Sequence, residues 1–300
     1  MEIREKPFIL YDCFTNQQFG GNAGGLVFDA QNIPDRDMLN IANQINAPVT
    51  GFVLEHKDEN LDVRFFMPKA EIDMCGHVTI GLFTHLHKID GLGSYKLKTK
   101  SGTIPIVIKN HNPAKPTVMM QLTCPVRLEH KIKRNDLFQT LRLGRRLNFS
   151  KIVTGTFAAG LRHAFVFLER LSDLKNISPD FEALGNFCKH SKLDTVSCFS
   201  FETDNPNHDI HMRDFCPALG VNETPASGTT NGALAGFLLE LGFLSKAKNG
   251  FISEQGSEIG RPSFISCEVK INEGGISELF VGGQAILSSS GIVNLSKESY

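Results

Sequence analysis

Tryptophan is absent from this 300-residue chain and tyrosine nearly so (Trp 0, Tyr 3), leaving phenylalanine to carry the aromatic content. Stacking platforms for nucleobases are therefore not advertised. Neither sign of charge is in excess: Lys+Arg 31 against Asp+Glu 32 leaves a net charge of −1. That removes the electrostatic motive for binding nucleic acid or an anionic membrane. No apolar run reaches bilayer-spanning length, and Met1-Glu2-Ile3-Arg4-Glu5-Lys6 has no apolar leader core, so no membrane association and a cytoplasmic location are expected. Seven cysteines, an odd number without CxxC pairing, point to reduced thiols instead of a disulfide framework.

What is present is ordinary in bulk and patterned in detail. Hydrophobic residues make up 41 % and charged residues 21 %, enough to build one large core or two modest ones. The organising stretch is Glu71-Ile72-Asp73-Met74-Cys75-Gly76-His77-Val78-Thr79-Ile80, and a distorted copy follows at Glu223-Thr224-Pro225-Ala226-Ser227-Gly228-Thr229-Thr230-Asn231-Gly232. The lead-ins also match, Arg64-Phe65-Phe66-Met67-Pro68 against Arg213-Asp214-Phe215-Cys216-Pro217. The step between the two arginines is 149 positions (213 minus 64), and that between Gly76 and Gly228 is 152 (228 minus 76). Self-similarity near half the chain length means two related lobes.

After each loop comes a run that is apolar on nearly every face: Val78 to His87, ending at Gly91, and Gly232 to Leu241, ending at Gly242. Helices hydrophobic around their circumference are buried on all sides. Asp35 to Asn46 and Phe181 to Lys189 also have helical spacing. Most other apolar segments are short strands, among them Pro7 to Phe14, Lys151 to Val153, Arg162 to Leu168, Asp209 to Arg213 and Leu279 to Leu287. The expected fold is α+β, each lobe a curled, mostly antiparallel sheet around one central helix. The glycines of Phe19-Gly20-Gly21-Asn22-Ala23-Gly24-Gly25 precede a strand and lack a following Gly-Lys-Ser/Thr, which is the wrong context for a phosphate loop.

The chemistry should lie at the two helix starts. A helix N-terminus exposes unpaired amides and about half a positive charge, and two such ends would hold a small carboxylate. His77 is the best-placed proton carrier and is expected to be neutral there; its alternative role is to cap its own loop. Cys75 could be acidified by the same field or be a buried structural thiol. His208 and His211, read as one strand, should point to opposite faces, so a shared metal is not expected.

These residues resemble the PhzF-like family of phenazine-biosynthesis isomerases. The match runs through Phe14-Thr15, Gly21-Asn22-Ala23-Gly24-Gly25, the Cys75-Gly76-His77 loop, Arg213 to Pro217, Glu223 to Gly228, Glu254-Gln255-Gly256 and Gly260-Arg261-Pro262-Ser263. The resemblance implies a diaminopimelate epimerase-like fold with two pseudo-symmetric lobes, residues 1–118 plus 278–300 and residues 119–277. It also implies a site without cofactor or metal, and a homodimer. His77 and Cys75 would then be catalytic, with Asn22, Gly76, Ser227, Gly228, Thr229 and Thr230 binding substrate. The family's proton-carrying glutamate falls on Val49 and its second-loop aspartate on Thr224. The expected function is a cofactor-independent isomerase acting by acid/base proton transfer on a small carboxylate-bearing molecule. An altered member that only binds the carboxylate, and a Cys75-dependent racemase or dehydratase, are the alternatives.

Overall fold

The computed structural model describes residues 3–109, 115–129, 132–144 and 147–296. The chain forms two compact units, Met1–Met120 with Gly282–Tyr300 and Gln121–Val281.

In the first unit β1 (Ile3–Cys13) is antiparallel to β2 (Asn22–Val27), and α1 (Asp35–Ile45) carries the chain to β3 (Val49–Lys57), parallel to β2. Next, β4 (Asn60–Met67) pairs antiparallel with β3 and with the short β5 (Ala70–Ile72). Then α2 (Gly76–Asp90) leads to β6 (Ser94–Thr99), parallel to β4, and β7 (Gly102–Lys109) and β8 (Thr117–Leu122) follow antiparallel.

The second unit repeats this succession. After β9 (Val126–Arg127) and α3 (Arg134–Thr140) come the antiparallel β10 (Val153–Ala159) and β11 (Leu161–Phe167). Helices α4 (Leu171–Lys175) and α5 (Phe181–His190) lead to β12 (Thr195–Ser200), parallel to β11. Strand β13 (Ile210–Cys216) is antiparallel to β12 and to β14 (Val221–Thr224). Finally α6 (Gly228–Glu240) leads to β15 (Gly250–Gln255), parallel to β13, and to β16 (Ser263–Asn272) and β17 (Gly275–Gly283). The last strand, β18 (Ala285–Ser296), returns to the first unit and pairs antiparallel with β1. Parallel neighbours cannot be joined by a hairpin, and in both lobes a helix spans each parallel junction. The chain thus adopts the expected α+β architecture: two pseudo-symmetric lobes, each a mostly antiparallel sheet with a central helix.

The central helices fit because glycine lets backbone and rings interpenetrate. A Cβ on Gly81 of α2 would lie 2.9 Å from Tyr11 Cβ on β1. In the second lobe Gly155 of β10 admits the Phe237 ring and Gly236 of α6 admits the Phe157 ring, where an added Cβ would come to 2.6 Å and 2.7 Å. Gly155 also explains why the strand expected at Lys151 to Val153 runs instead from Val153 to Ala159. It reads as a break in sequence but is a packing contact. The single strand expected over Leu279 to Leu287 is two, parted at Gln284, whose carbonyl accepts the Thr15 amide at 3.1 Å. Among the described residues no helix is long and apolar enough to cross a membrane.

Candidate active site

The same scaffold positions both helix starts. In the first lobe Arg64 of β4 donates Nε and Nη2 to the two carboxylate oxygens of Glu71, at 2.7 and 3.0 Å. In the second, Arg213 of β13 holds Glu223 in the same fork, at 2.9 and 2.7 Å. Each guanidinium also lies over a ring two residues on, Phe66 at 5.2 Å and Phe215 at 4.9 Å. Planar two-point pairing fixes orientation as well as distance, so the glutamate that opens each loop is anchored to its strand. The residues before the helices then have nearly identical backbones: Cys75 at φ −138, ψ 113 and Ser227 at φ −141, ψ 114. Even the i+4 contact recurs, Thr79 Oγ1 donating to the Cys75 carbonyl at 2.8 Å and Asn231 Nδ2 to the Ser227 carbonyl at 2.9 Å.

At the head of α2, Cys75 Sγ lies 3.3 Å from His77 Nδ1 and 3.6 Å from Nε2. The imidazole is pressed against β2, since a Cβ on Gly24 would be 3.4 Å from His77 Cδ2. Enclosure pushes His77 down to about 4, with the Ala23 backbone pulling weakly the other way. The ring is therefore neutral at pH 7, as expected, with burial as the cause. For the thiol, the second of the two alternatives, a buried and protonated sulfur, is the one that agrees with its surroundings. Burial pushes Cys75 up to about 12, against the smaller opposing pull of the Val78 and His77 backbone. The field of the helix end loses to desolvation, and the sulfur stays protonated.

At the head of α6, Ser227 caps the helix in the ordinary way, accepting the Thr230 amide at 3.2 Å. Its hydroxyl is 3.2 Å from Thr229 Oγ1 and 2.8 Å from Thr230 Oγ1. Thr230 in turn donates to Asp214 Oδ2 at 2.7 Å, and Ser197 donates to Asp214 Oδ1 at 2.7 Å. Asp214 is 1 % exposed; burial pushes its carboxyl up to about 6, against the Ser197, Thr230 and Thr195 hydroxyls. Beyond it, Thr195 Oγ1 meets His163 Nδ1 at 2.8 Å.

The remaining expected residues fall in place around these two heads. Asn22 opens β2 and is buried, and Gly76 begins α2 with its missing Cβ directed at Met120 Cε, 2.7 Å away. Val49 opens β3 opposite Gly24, and Gly51, two residues on, faces Val78 of α2 at 2.8 Å. By strand alternation Val49 faces α2 as well. Thr224 lies directly across the ladder from Asp214 and its hydroxyl donates to the Ala226 carbonyl at 3.4 Å. Gln255 Nε2 holds the Thr224 carbonyl at 2.8 Å, so the late Gln-Gly element props the loop ahead of α6.

Sequence reasoning passed over Asp214. The available signal was the repeat itself, because Asp214 stands where the first copy has Phe65 and every residue of β13 is buried. The two histidines of the HxxH spacing also need correction. His208 precedes the strand, and both it and His211 reach Glu254, at 2.9 and 2.7 Å from their Nδ1 atoms. His211 Nε2 is taken by Glu258 at 2.8 Å. Ligand atoms of Asp204, His211 and Glu254 lie within 4.8 Å of one another. In this arrangement the carboxylates of Glu254 and Glu258 take both ring nitrogens of His211 and draw it up to about 9 against the cost of burial.

The model of the family described as Phenazine biosynthesis-like protein matches residues 11–291, and the chain belongs to that family. An uncharacterized isomerase of Clostridium acetobutylicum is 27 % identical, covering 95 % of this chain and 97 % of that one. The trans-2,3-dihydro-3-hydroxyanthranilate isomerase of Pseudomonas aeruginosa is 29 % identical, over 85 % and 87 %. Among solved structures, a PhzF-family phenazine biosynthesis protein of Bacillus anthracis superposes with a TM-score of 0.85 at 23 % identity, covering 97 % and 99 % of the two chains.

Proposed function

We propose that this protein is a cofactor-independent isomerase that moves a proton on a small carboxylate-bearing metabolite. The carrying observation is the neutral His77 imidazole beside the Cys75 thiol in the first turn of a helix. The N-terminal amides of that helix hold the substrate carboxylate. His77 takes a proton from the carbon next to it, the electron pair of the broken C–H bond delocalises toward the carboxylate, and the proton returns at another carbon of the conjugated system. Asn22 and Gly76 bind substrate at the α2 start, and Ser227, Gly228, Thr229 and Thr230 are the binding residues at the α6 start. Val49 stands at the family's glutamate position, as the resemblance aligns it, and leaves the proton to His77, with Cys75 fixing the ring. The same reading takes the protein to be a cytoplasmic homodimer.

The Clostridium and Pseudomonas relatives, both named as isomerases, support this reading. The test is solvent deuterium entry into trans-2,3-dihydro-3-hydroxyanthranilate, trans-4-hydroxy-L-proline, L-glutamate and L-malate, followed by NMR. Label entering a C–H position in wild type and disappearing in His77→Ala is the expected result. Binding without label in any probe would leave the second reading, a carboxylate-binding protein without turnover, which the apolar Val49 favours. A Cys75-dependent racemase or dehydratase is disfavoured by a thiol pushed up to about 12.

A further inference from the structure

Asp214 is a carboxylate inside a fully buried strand, and it is held by the hydroxyls of Ser197 and Thr230 and not by a cation. Among the ionisable groups around it, Glu223 on β14 opposes its charge, and burial keeps the thiols of Cys188 on α5, Cys198 on β12 and Cys216 on β13 protonated and uncharged. Arg213, its neighbour in the chain, points to the other face of β13 and is engaged by Glu223. Such a carboxylate is costly to bury, and an apolar residue at this point, as Phe65 shows, is compatible with the same scaffold.

What the carboxylate reaches is informative. A hydroxyl has one proton, and Thr230 Oγ1 has two close oxygens, Asp214 Oδ2 at 2.7 Å and Ser227 Oγ at 2.8 Å. An ionised carboxylate can only accept. Thr230 Oγ1 is placed to donate to either oxygen; with Asp214 ionised its one proton goes to the carboxylate, and the Ser227 hydroxyl 2.8 Å away is the group that can replace it. Thr230 is fully buried and Asp214 nearly so, whereas Ser227 is partly exposed at the helix start. A continuous line of hydrogen bonds thus joins an accessible oxygen to a sealed carboxylate.

We propose that Ser227 is a second proton carrier of this protein, with Asp214 as the base behind it and Thr230 as the relay between them. The inference rests on the isomerase reading above. In the step, the substrate C–H bond breaks and its electron pair stays on carbon; Ser227 Oγ receives that proton while passing its own to Thr230 Oγ1. Thr230 passes its proton to Asp214 Oδ2. The products are a substrate carbanion, two neutral hydroxyls and a protonated Asp214, and the reverse sequence returns the proton. The basicity is that of a carboxylate, so the weakness of a lone serine does not apply. With its carboxyl at about 6, Asp214 is ionised at neutral pH and close to the range where proton transfer in both directions is efficient.

The experiment is the pH profile of deuterium exchange, in whichever of the four probes exchanges in wild type, for Thr230→Val, Thr230→Ser and Ser197→Ala. Thr230→Val keeps the shape and breaks the line; it should lose about 100-fold or more in exchange. Thr230→Ser restores the hydroxyl and should stay within roughly 3-fold of wild type, a rescue that a packing role would not produce. Ser197→Ala removes a donor that stabilises the Asp214 anion, so the limb where exchange rises with pH should move to higher pH while the relay stays intact. Wild-type rates in folded Thr230→Val, or an unmoved limb in Ser197→Ala, would overturn the relay and leave the His77 reading standing. If Thr230→Val does not fold, the Ser197→Ala limb decides alone. Absence of exchange in wild type with every probe would overturn the isomerase reading and the relay with it.

Discussion

The two helix starts share a frame and differ in chemistry. Arg64–Glu71 and Arg213–Glu223 are the same two-point clamp, and Cys75 and Ser227 have the same backbone to within a few degrees. At α2 the frame holds a thiol and an imidazole, both uncharged because burial penalises their ions. At α6 it holds three hydroxyls with a carboxylate behind them. A duplicated scaffold can therefore be kept by backbone geometry and arginine forks while its side-chain chemistry diverges.

The clamps give the largest test of this equivalence. Side chains of Arg213 and Glu223 are 8 % and 5 % exposed, those of Arg64 and Glu71 are 20 % and 18 %. Removing one partner of the buried pair strands a charge, so Arg213→Ala should cost about 3–5 kcal/mol in urea unfolding. Arg64→Ala should cost clearly less, because water can reach Glu71 and Lys100 still pairs with it. Equal losses would break the distinction.

A second corresponding pair differs in sign. On the parallel junction after each central helix, Asp62 pairs with Lys98 in the first lobe and His211 with Glu254 in the second. The exposed first pair gives little. The buried second pair makes stability pH-dependent. His211 is raised from 6.5 to about 9, so its contribution is complete below 6.5 and is lost as pH rises through 9. Glu254 is lowered from 4.5 to about 2, so its contribution is present above 4.5 and is lost as pH falls through 2. Thermal unfolding should show a plateau between about 4.5 and 6.5, and His211→Gln should flatten the alkaline slope, an effect on the order of 3 kcal/mol.

The caps give a smaller contrast. Ser227→Ala removes a side-chain cap and should cost about 1 kcal/mol. Cys75 makes no cap hydrogen bond, so Cys75→Ser should add one and stabilise by up to about 1 kcal/mol. Opposite signs in the two lobes are the expected outcome of denaturant titration. Smallest is the thiol difference: Cys124 is partly exposed while the other six cysteines, Cys75 among them, are buried. Alkylation at neutral pH followed by peptide mapping should label Cys124 first.

Much of this was readable from sequence, for reasons that differ by residue. The repeat was legible because Arg, Glu and Gly are required by fork geometry and close packing. The central helices were legible because they are apolar all round. Asp214 was not, since it stands in the repeated lead-in opposite Phe65 and nothing in the sequence marks its strand as buried at every position. Gly155 hid β10 because a glycine that admits a ring from another element resembles a turn. His208 and His211 were separated by reading both as residues of one strand; the ladder begins at Ile210, and His208 ahead of it reaches Glu254.

The most direct test of the difference between the two heads is one NMR titration, following the His77 ring nitrogens and the Asp214 carboxyl carbon in the same sample. Midpoints near 4 for His77 and near 6 for Asp214 are predicted. Midpoints at the ordinary values, 6.5 and 3.8, would contradict the account, because neither head would then hold the protonation state its chemistry requires.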